Sequence, residues 1–164
     1  MDPGDINKFD GYFWQALALS LPEEGVAHCF PDEPSRLERL IEVRWPHGPK
    51  CSNCGNEGGS WIKTRRLFQC EQCRHQFSAT SGTALHRSRL SLGVWFGAAE
   101  AIIQYRTRYF IGEDMPAHAL AQKFDIHYVS ARRVRKIINA EIAKGDAGIL
   151  LSAICVRPQE HANF

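Results

Sequence analysis

The chain has 164 residues, 44% of them hydrophobic, and a formal net charge of +2; this is the composition of a globular protein of one ordinary domain or two small ones. No apolar run approaches the roughly 18 residues of a membrane span, since the longest in the tail, Ile149 to Val156, is far too short. The charge is uneven: residues 1–43 carry three basic and nine acidic side chains, residues 44–164 seventeen basic and nine acidic. Such a split suits either a polyanionic partner, most simply nucleic acid, or a solvated basic face with no partner.

Phe9, Phe13, Leu17 and Leu21 recur at helical spacing and predict an amphipathic first helix, ended by Pro22. Its aromatic stripe reads as core rather than as a partner-binding face. The acidic stretch from Glu23 to Pro34, with Pro31 and Pro34, reads as a linker. Ser35-Arg36-Leu37-Glu38 has the capping-box pattern and predicts a second helix opening at Ser35, with Leu37, Leu40 and Ile41 on its apolar face. Pro46 and Gly48 stop it, and Trp45 is placed to cover either this helix or the cysteine-rich segment after it.

Cys51-x-x-Cys54 and Cys70-x-x-Cys73 come next, with fifteen residues between the pairs, the spacing of a four-cysteine zinc site. Two knuckles facing one point make a closed tetrahedral site for structural Zn²⁺, with no position left for a substrate water. Iron fits the same four thiolates and stays open as an alternative. Disulfides suit secreted chains, and the acidic N-terminus lacks a signal-peptide pattern; a thioredoxin-like pair would need a βαβ context. Short strands are expected over 61–64, 67–70 and 76–79, around the basic pair Arg65 and Arg66, in a sheet whose folding depends on the metal. His75 and His86 read as polar surface or DNA-facing residues, Cys29 and Cys155 as ordinary thiols.

Ser78 to Thr83 is a small polar turn, and His86, Arg87 and Arg89 lie in a short connector. Ser91 is a candidate N-cap for a helix to about Thr107, with Leu92, Trp95, Phe96, Ala99, Ile102 and Ile103 on its core face. Gly112-Glu113-Asp114 breaks the chain, with Asp114 placed to cap a helix starting near Pro116. Residues 115–142 then read as helix-turn-helix. Leu120, Ala121 and Phe124 belong to the first helix, Asp125 sits at a turn that favours positive φ, and Ile126 plugs it. The second helix, Tyr128 to Ala140, turns Ala131, Val134 and Ile138 inward. Its other side shows Tyr128, Val129, Arg132, Arg133 and Lys136. That set suits a recognition helix, with cations for phosphates and guanine edges and an aromatic for packing. It also describes a basic surface helix in a three-helix bundle. The tail, 145–164, reads as a short strand or a frayed apolar end.

Arg44-Trp45-Pro46 and Gly48 before the first knuckle, Phe77-Ser78, Thr80 and Gly82-Thr83 after the second, and His86-Arg87 and Arg89-Leu90 beyond it make residues 34–140 resemble the N-terminal region of zinc-ribbon insertion-sequence transposases. The resemblance implies a zinc ribbon followed by a DNA-binding helix-turn-helix. In whole transposases it also implies a downstream ribonuclease-H-like domain with an acidic triad. Two positions depart from the pattern: Asp125 stands where such turns carry Gly, and His127 where the recognition helix usually opens with Ser. About two dozen residues come after the last expected helix, too few for the catalytic domain.

The expected fold is α+β, mainly α: acidic N-terminal helices (1–43), a zinc ribbon (44–90), a helical domain with helix-turn-helix (91–144) and a tail (145–164). One structural Zn²⁺ is expected on Cys51, Cys54, Cys70 and Cys73. Duplex DNA is expected on Arg65, Arg66, Arg87, Arg89, Tyr128, Arg132, Arg133 and Lys136. No catalytic residue is assigned, so the expected protein is a DNA binder rather than an enzyme, in the cytoplasm and associated with the nucleoid. Two alternatives stand beside it: the DNA-binding subunit of a split transposase whose catalytic subunit is a separate chain, or a zinc-ribbon adaptor that docks other proteins.

Overall fold

Ser91 and the apolar residues behind it build the element on which the other helices pack. The computed structural model describes residues 11–109, 113–145 and 148–156. In chain order it runs α1 (Gly11–Ser20), α2 (Val26–Cys29), α3 (Glu33–Arg44), β1 (Ser60–Ile62), β2 (Leu67–Gln69), β3 (Gln76–Phe77), α4 (Leu92–Arg108), α5 (Ala117–Phe124), α6 (Tyr128–Ala143) and α7 (Ile149–Ile154). The fold is therefore mainly helical with one small sheet. No described helix is long and apolar enough to cross a membrane.

Ser91 caps α4 as the sequence suggests, its hydroxyl accepting from the Val94 N–H at 3.3 Å. Trp95, Phe96, Ala99, Ile102 and Ile103 are all buried, joined by Ala98 and Ala101. Burial on that many sides is what a central helix requires, and every other described helix touches α4. The small residues set how close the neighbours come. A Cβ on Gly97 would stand 2.7 Å from Cε1 of Phe124, so the α5 aromatic reaches α4 only because that position is glycine.

Several expectations are corrected here. The segment from Glu23 to Pro34 is not a linker: it forms α2 and places Val26 and Phe30 in the core, Phe30 meeting Phe96 edge-on at 5.7 Å. The third helix opens earlier than expected. Asp32 rather than Ser35 is its N-cap, with Ser35 in the partner position of the capping box, because the Asp32 carboxylate accepts the Ser35 N–H at 2.8 Å. In α1 the deeply buried residues are Trp14 and Ser20, followed by Leu21, while Phe13 and Leu17 are half-buried; Phe9 lies outside the described residues. Asp114 does not cap α5, which starts at Ala117 behind Pro116 as N-cap and has no side-chain cap. Instead it faces Arg106 and Arg135 at 3.8 and 3.7 Å and accepts from the Asn139 amide. The tail is neither strand nor frayed end. Its apolar run forms α7, with Leu150, Leu151, Ala153 and Ile154 buried against α3, α4 and α6. Arg39 of α3 reaches its last turn, donating to the carbonyls of Ala153 and Ser152 at 3.0 and 3.2 Å.

The sheet is antiparallel with order β1-β2-β3, pairing Trp61 with Phe68 and Phe68 with Phe77. The strands are shorter than expected because their ends are claimed by other partners. The Cys70 N–H goes to His75 O at 2.9 Å and the Ser78 N–H to the Ser81 hydroxyl at 2.9 Å. The core of the sheet is only Cys51, Phe68, Cys70 and Phe77. Trp45, at the end of α3, closes it by meeting Phe68 and Phe77 edge-on at 5.7 and 5.5 Å. Arg44 fixes the join, donating to the carbonyls of Ser78 and Ala79 while its guanidinium lies 4.7 Å over the Trp45 ring.

Glu33 links α3 to α4: its carboxylate accepts the Leu92 and Gly93 N–H groups at 2.9 and 2.8 Å and pairs with Arg36 at 2.9 Å. Burial works to raise its pKa, but the hydrogen bonds from Gly93 and Leu92, with Arg36, outweigh it and hold the group below its ordinary 4.5. A depressed carboxyl pKa adds stability above the unfolded-state value and loses it as pH falls through the folded one. Glu33→Ala should therefore cost about 1 kcal/mol, the low end for a half-exposed charged acceptor. Urea melts should show that gap at neutral pH and show it narrowing as the pH drops below 4.5.

Candidate metal centre and basic surface

Each Cys-x-x-Cys pair folds into the same loop. The Gly55 N–H returns to Cys51 O at 3.0 Å, and the Arg74 N–H returns to Cys70 O at 3.1 Å. Both closing residues have positive φ, 73° at Gly55 and 63° at Arg74, so the second knuckle holds a side chain in a region that glycine occupies more readily. Within each loop a backbone N–H points at a sulfur: Asn53 at Cys51 Sγ, 3.4 Å, and Cys73 at Cys70 Sγ, 3.5 Å.

These loops bring the sulfurs of Cys51, Cys54, Cys70 and Cys73 within 4.8 Å of one another. Two contacts cross between the knuckles, 3.6 Å for Cys51–Cys73 and 3.6 Å for Cys54–Cys70. A tetrahedron with metal–sulfur bonds of about 2.3 Å has edges of about 3.8 Å, so the donor set fits a tetrahedral ion. A disulfide needs about 2.05 Å, and all six cysteines of the chain are free. Thiolates are required for metal binding, and the loops favour them at two positions. The His75 N–H, then the Asn53 side-chain amide, bring Cys73 down to about 6, and the Cys73 N–H lowers Cys70. Cys54 goes the other way: the Asn56 N–H lowers it, but desolvation and hydrogen bonds to Cys73, Cys70 and Cys51 together push it up to about 12. Cys51 and Cys70 are buried against the aromatic cluster, while Cys54 and Cys73 face out. His75 and His86 are exposed and outside the cluster. Of the other thiols, Cys29 is exposed, and burial pushes Cys155 up to about 11.

Beyond the ribbon, α5 and α6 are joined by the three residues Asp125 to His127. Asp125 takes the left-handed conformation, φ 50°, and His127 serves as N-cap, its Nδ1 accepting the Val129 N–H at 3.3 Å. An imidazole thus does here what a serine hydroxyl would do. Ala131, Val134 and Ile138 are fully buried. Tyr128, Val129, Arg132, Arg133 and Lys136 are exposed.

Most cations of this region line one or other of two hollows. Arg87 and Arg89 lie across from Arg133 on a cleft of about 340 Å³ between the 84–90 connector and α6. Arg132 and Lys136 line a second hollow on the opposite flank of α6, beside Asp114, Arg135 and Asn139. Arg65 and Arg66 sit at the tip of the β1–β2 hairpin, Arg66 with φ 52° and Arg65 donating to Gln76 at 3.2 Å; they line neither hollow. Arg135 and Asn139 escaped the sequence reading. Their helical spacing from Arg132 was visible, but their partner Asp114 is assigned only by the fold.

Residues 31–76 match the family model of the transposase zinc-ribbon domain. The stretch is thus similar to a transposase-type zinc ribbon. Its span takes in α3 as well as the sheet, in keeping with the Trp45 closure. A relative described as an uncharacterized protein in the transposable element ISH50 of Halobacterium salinarum is 27% identical over 115 residues, covering 68% of this chain and 36% of the relative. The chain thus spans about a third of that relative's length. No solved structure matches.

The cluster should take up one tetrahedral metal ion per chain, measurable by native mass spectrometry. Cys70→Ser should abolish uptake, and chelation should unfold the sheet, releasing Trp45 and changing its fluorescence. Because ligands must lose protons, affinity should fall as pH is lowered. Full metal content and an unchanged fold in Cys70→Ser would refute the site.

Proposed function

We propose that this chain is a zinc-dependent duplex DNA-binding module of transposase descent that performs no chemistry of its own. The observation that carries the reading is the outward face of α6. Tyr128, Val129, Arg132, Arg133 and Lys136 all stand exposed there, on the second helix of a tight helix pair that comes after a transposase zinc ribbon. A helix-turn-helix seats such a face in the major groove. Exposed guanidinium and ammonium groups meet phosphates and guanine edges, and Tyr128 and Val129 offer apolar contact to thymine methyls. Zn²⁺ suits the four thiolates as a structural ion: with the shell filled it has no open position for substrate.

The carboxylates favour binding over catalysis. A two-metal mechanism needs acids converging on ions roughly 3.5–4 Å apart. Here acids of the helical part are engaged in holding the helices: Glu33 on α4, Glu100 on the Val26 N–H at 3.1 Å, Glu141 on Lys144 and Leu150, and Asp114 between Arg106 and Arg135. A second reading comes from the relative, of which the matched region is 36%: the module recognises transposon ends for catalytic machinery carried on further sequence or on another subunit.

Duplex affinity should fall with salt on a log–log slope of about −0.9 per phosphate contacted, and selection from random DNA should return a preferred site. Replacing Arg132, Arg133 and Lys136 together by alanine should remove that binding; a triple variant that binds as tightly as wild type would refute the role of α6. With Mg²⁺ or Mn²⁺ and transposon-end DNA, the pure chain should give neither nicks nor joined products. Metal-dependent cleavage that copurifies with it would overturn the non-catalytic part.

A further inference from the structure

We infer that the cleft between the 84–90 connector and α6 grips a phosphodiester of the DNA backbone. Arg133 then positions the duplex, while Arg132, on the other flank of the same helix, is left to read it. The inference rests on the reading of α6 as a DNA-binding helix and assigns the labour within it.

The cleft offers donors around an apolar floor. Arg87, Arg89 and Arg133 line it together with Ser88 and Ser130, and among the described residues no carboxylate does so. Ser88 is itself turned into a donor by its neighbours. Its oxygen accepts the Trp95 indole N–H at 3.0 Å and the Leu90 N–H at 3.2 Å. A hydroxyl has two acceptor lone pairs and one proton, so with both pairs used only the O–H remains to offer. Three guanidiniums around one cleft repel each other and are neutralised by an anion with several acceptor oxygens, for which Arg is the matched partner. A guanine edge supplies acceptors but no charge. The floor, Leu90, Val134 and Ile137, suits the sugar flanking a phosphate.

The connector is built to hold its shape. It is a run of turns, the His86 N–H to Thr83 O at 3.0 Å and the Ser88 N–H to Leu85 O at 3.2 Å, anchored to the buried Trp95 of α4 through Ser88. Arg87 sits within it at φ 57°, a left-handed conformation uncommon for a residue with a side chain. Strain of this kind persists where the surroundings impose it, and it gathers at ligand clamps. Helical geometry supplies the division on α6. Successive residues are about 100° apart, so Arg133 shares its flank with Ser130 and Ile137, facing the connector, while Arg132 falls with Arg135 and Asn139 in the other hollow. Phosphate contacts set register, and base contacts carry sequence information.

The test uses the full zinc-bound chain with two duplexes, the selected site and a scrambled one. Arg87→Ala and Arg133→Ala should each shallow the log–log salt slope by about 0.9 and weaken both duplexes by the same factor, whereas Arg132→Ala should weaken the selected site more. Arg87→Gly should lose binding equally while melting no lower than wild type, which separates the grip from folding. The Trp95 indole N–H resonance, reporting through Ser88, should shift when duplex is added. If it stays put and the Arg87 and Arg133 variants keep the wild-type slope while Lys136→Ala weakens binding, the cleft assignment falls and the DNA-binding reading stands. A changed sequence preference in Arg133→Ala also overturns it, as does a Trp95 shift with inorganic phosphate but none with duplex. A folded wild-type chain with no salt-dependent duplex binding defeats both readings.

Discussion

The edge-on seating of Trp45 against Phe68 and Phe77 is the contact through which the two halves of the molecule depend on each other. A three-stranded sheet with strands of two or three residues buries too little apolar surface to order its own backbone. It gains a wall from α3 on one side, and a metal ion on its four clustered cysteines would cross-link it on the other. Trp45 ends the helix and begins the ribbon in a single residue, and Arg44 beside it ties the polar turn at Ser78 and Ala79 to the same place. The orientation of the cysteine cluster relative to the helices is thereby set by side-chain packing rather than by a free linker.

On the helical side, charged residues do much of the joining. Glu33 completes the exposed amides at the start of α4, Arg39 completes the carbonyls at the end of α7, and Glu141 holds the corner between α6 and α7. Helix ends leave backbone groups without intrahelical partners, and here distant side chains meet them, across 59 residues for Glu33 and Leu92 and 114 for Arg39 and Ala153. These contacts tie the acidic N-terminal helices and the C-terminal helix to the same core as the basic middle of the chain.

The consequence for function is positional. With α5 and α7 fixed around it, α6 keeps one face buried and presents the other in one orientation. The connector that leaves the ribbon passes along one flank of it. Ribbon, connector and helix form a continuous path from the cysteine cluster to the basic face of α6.

Much of this was legible in local pattern. The paired cysteines, the Ser91 cap, the apolar face of α4 and the inward and outward faces of α6 depend on spacing and residue type within a few turns of chain, and local stereochemistry determines them. What the sequence alone did not decide are choices among partners distant in the chain. Asp32 rather than Ser35 caps α3, because two capping boxes overlap and backbone conformation selects between them. The stretch from Glu23 to Pro34 and the tail carry too few residues for a helical period to stand out, so their burial as α2 and α7 depends on the surface that α4 offers. Asp114 had the look of a cap and became the partner of Arg106, Arg135 and Asn139, since a buried guanidinium nearby stabilises a carboxylate more than a helix start does. The cations at 87, 89, 132, 133 and 136 were evident one by one. Their separation into two hollows on opposite flanks of α6 was decided only by tertiary packing, because no local rule places the 84–90 connector on one side of that helix.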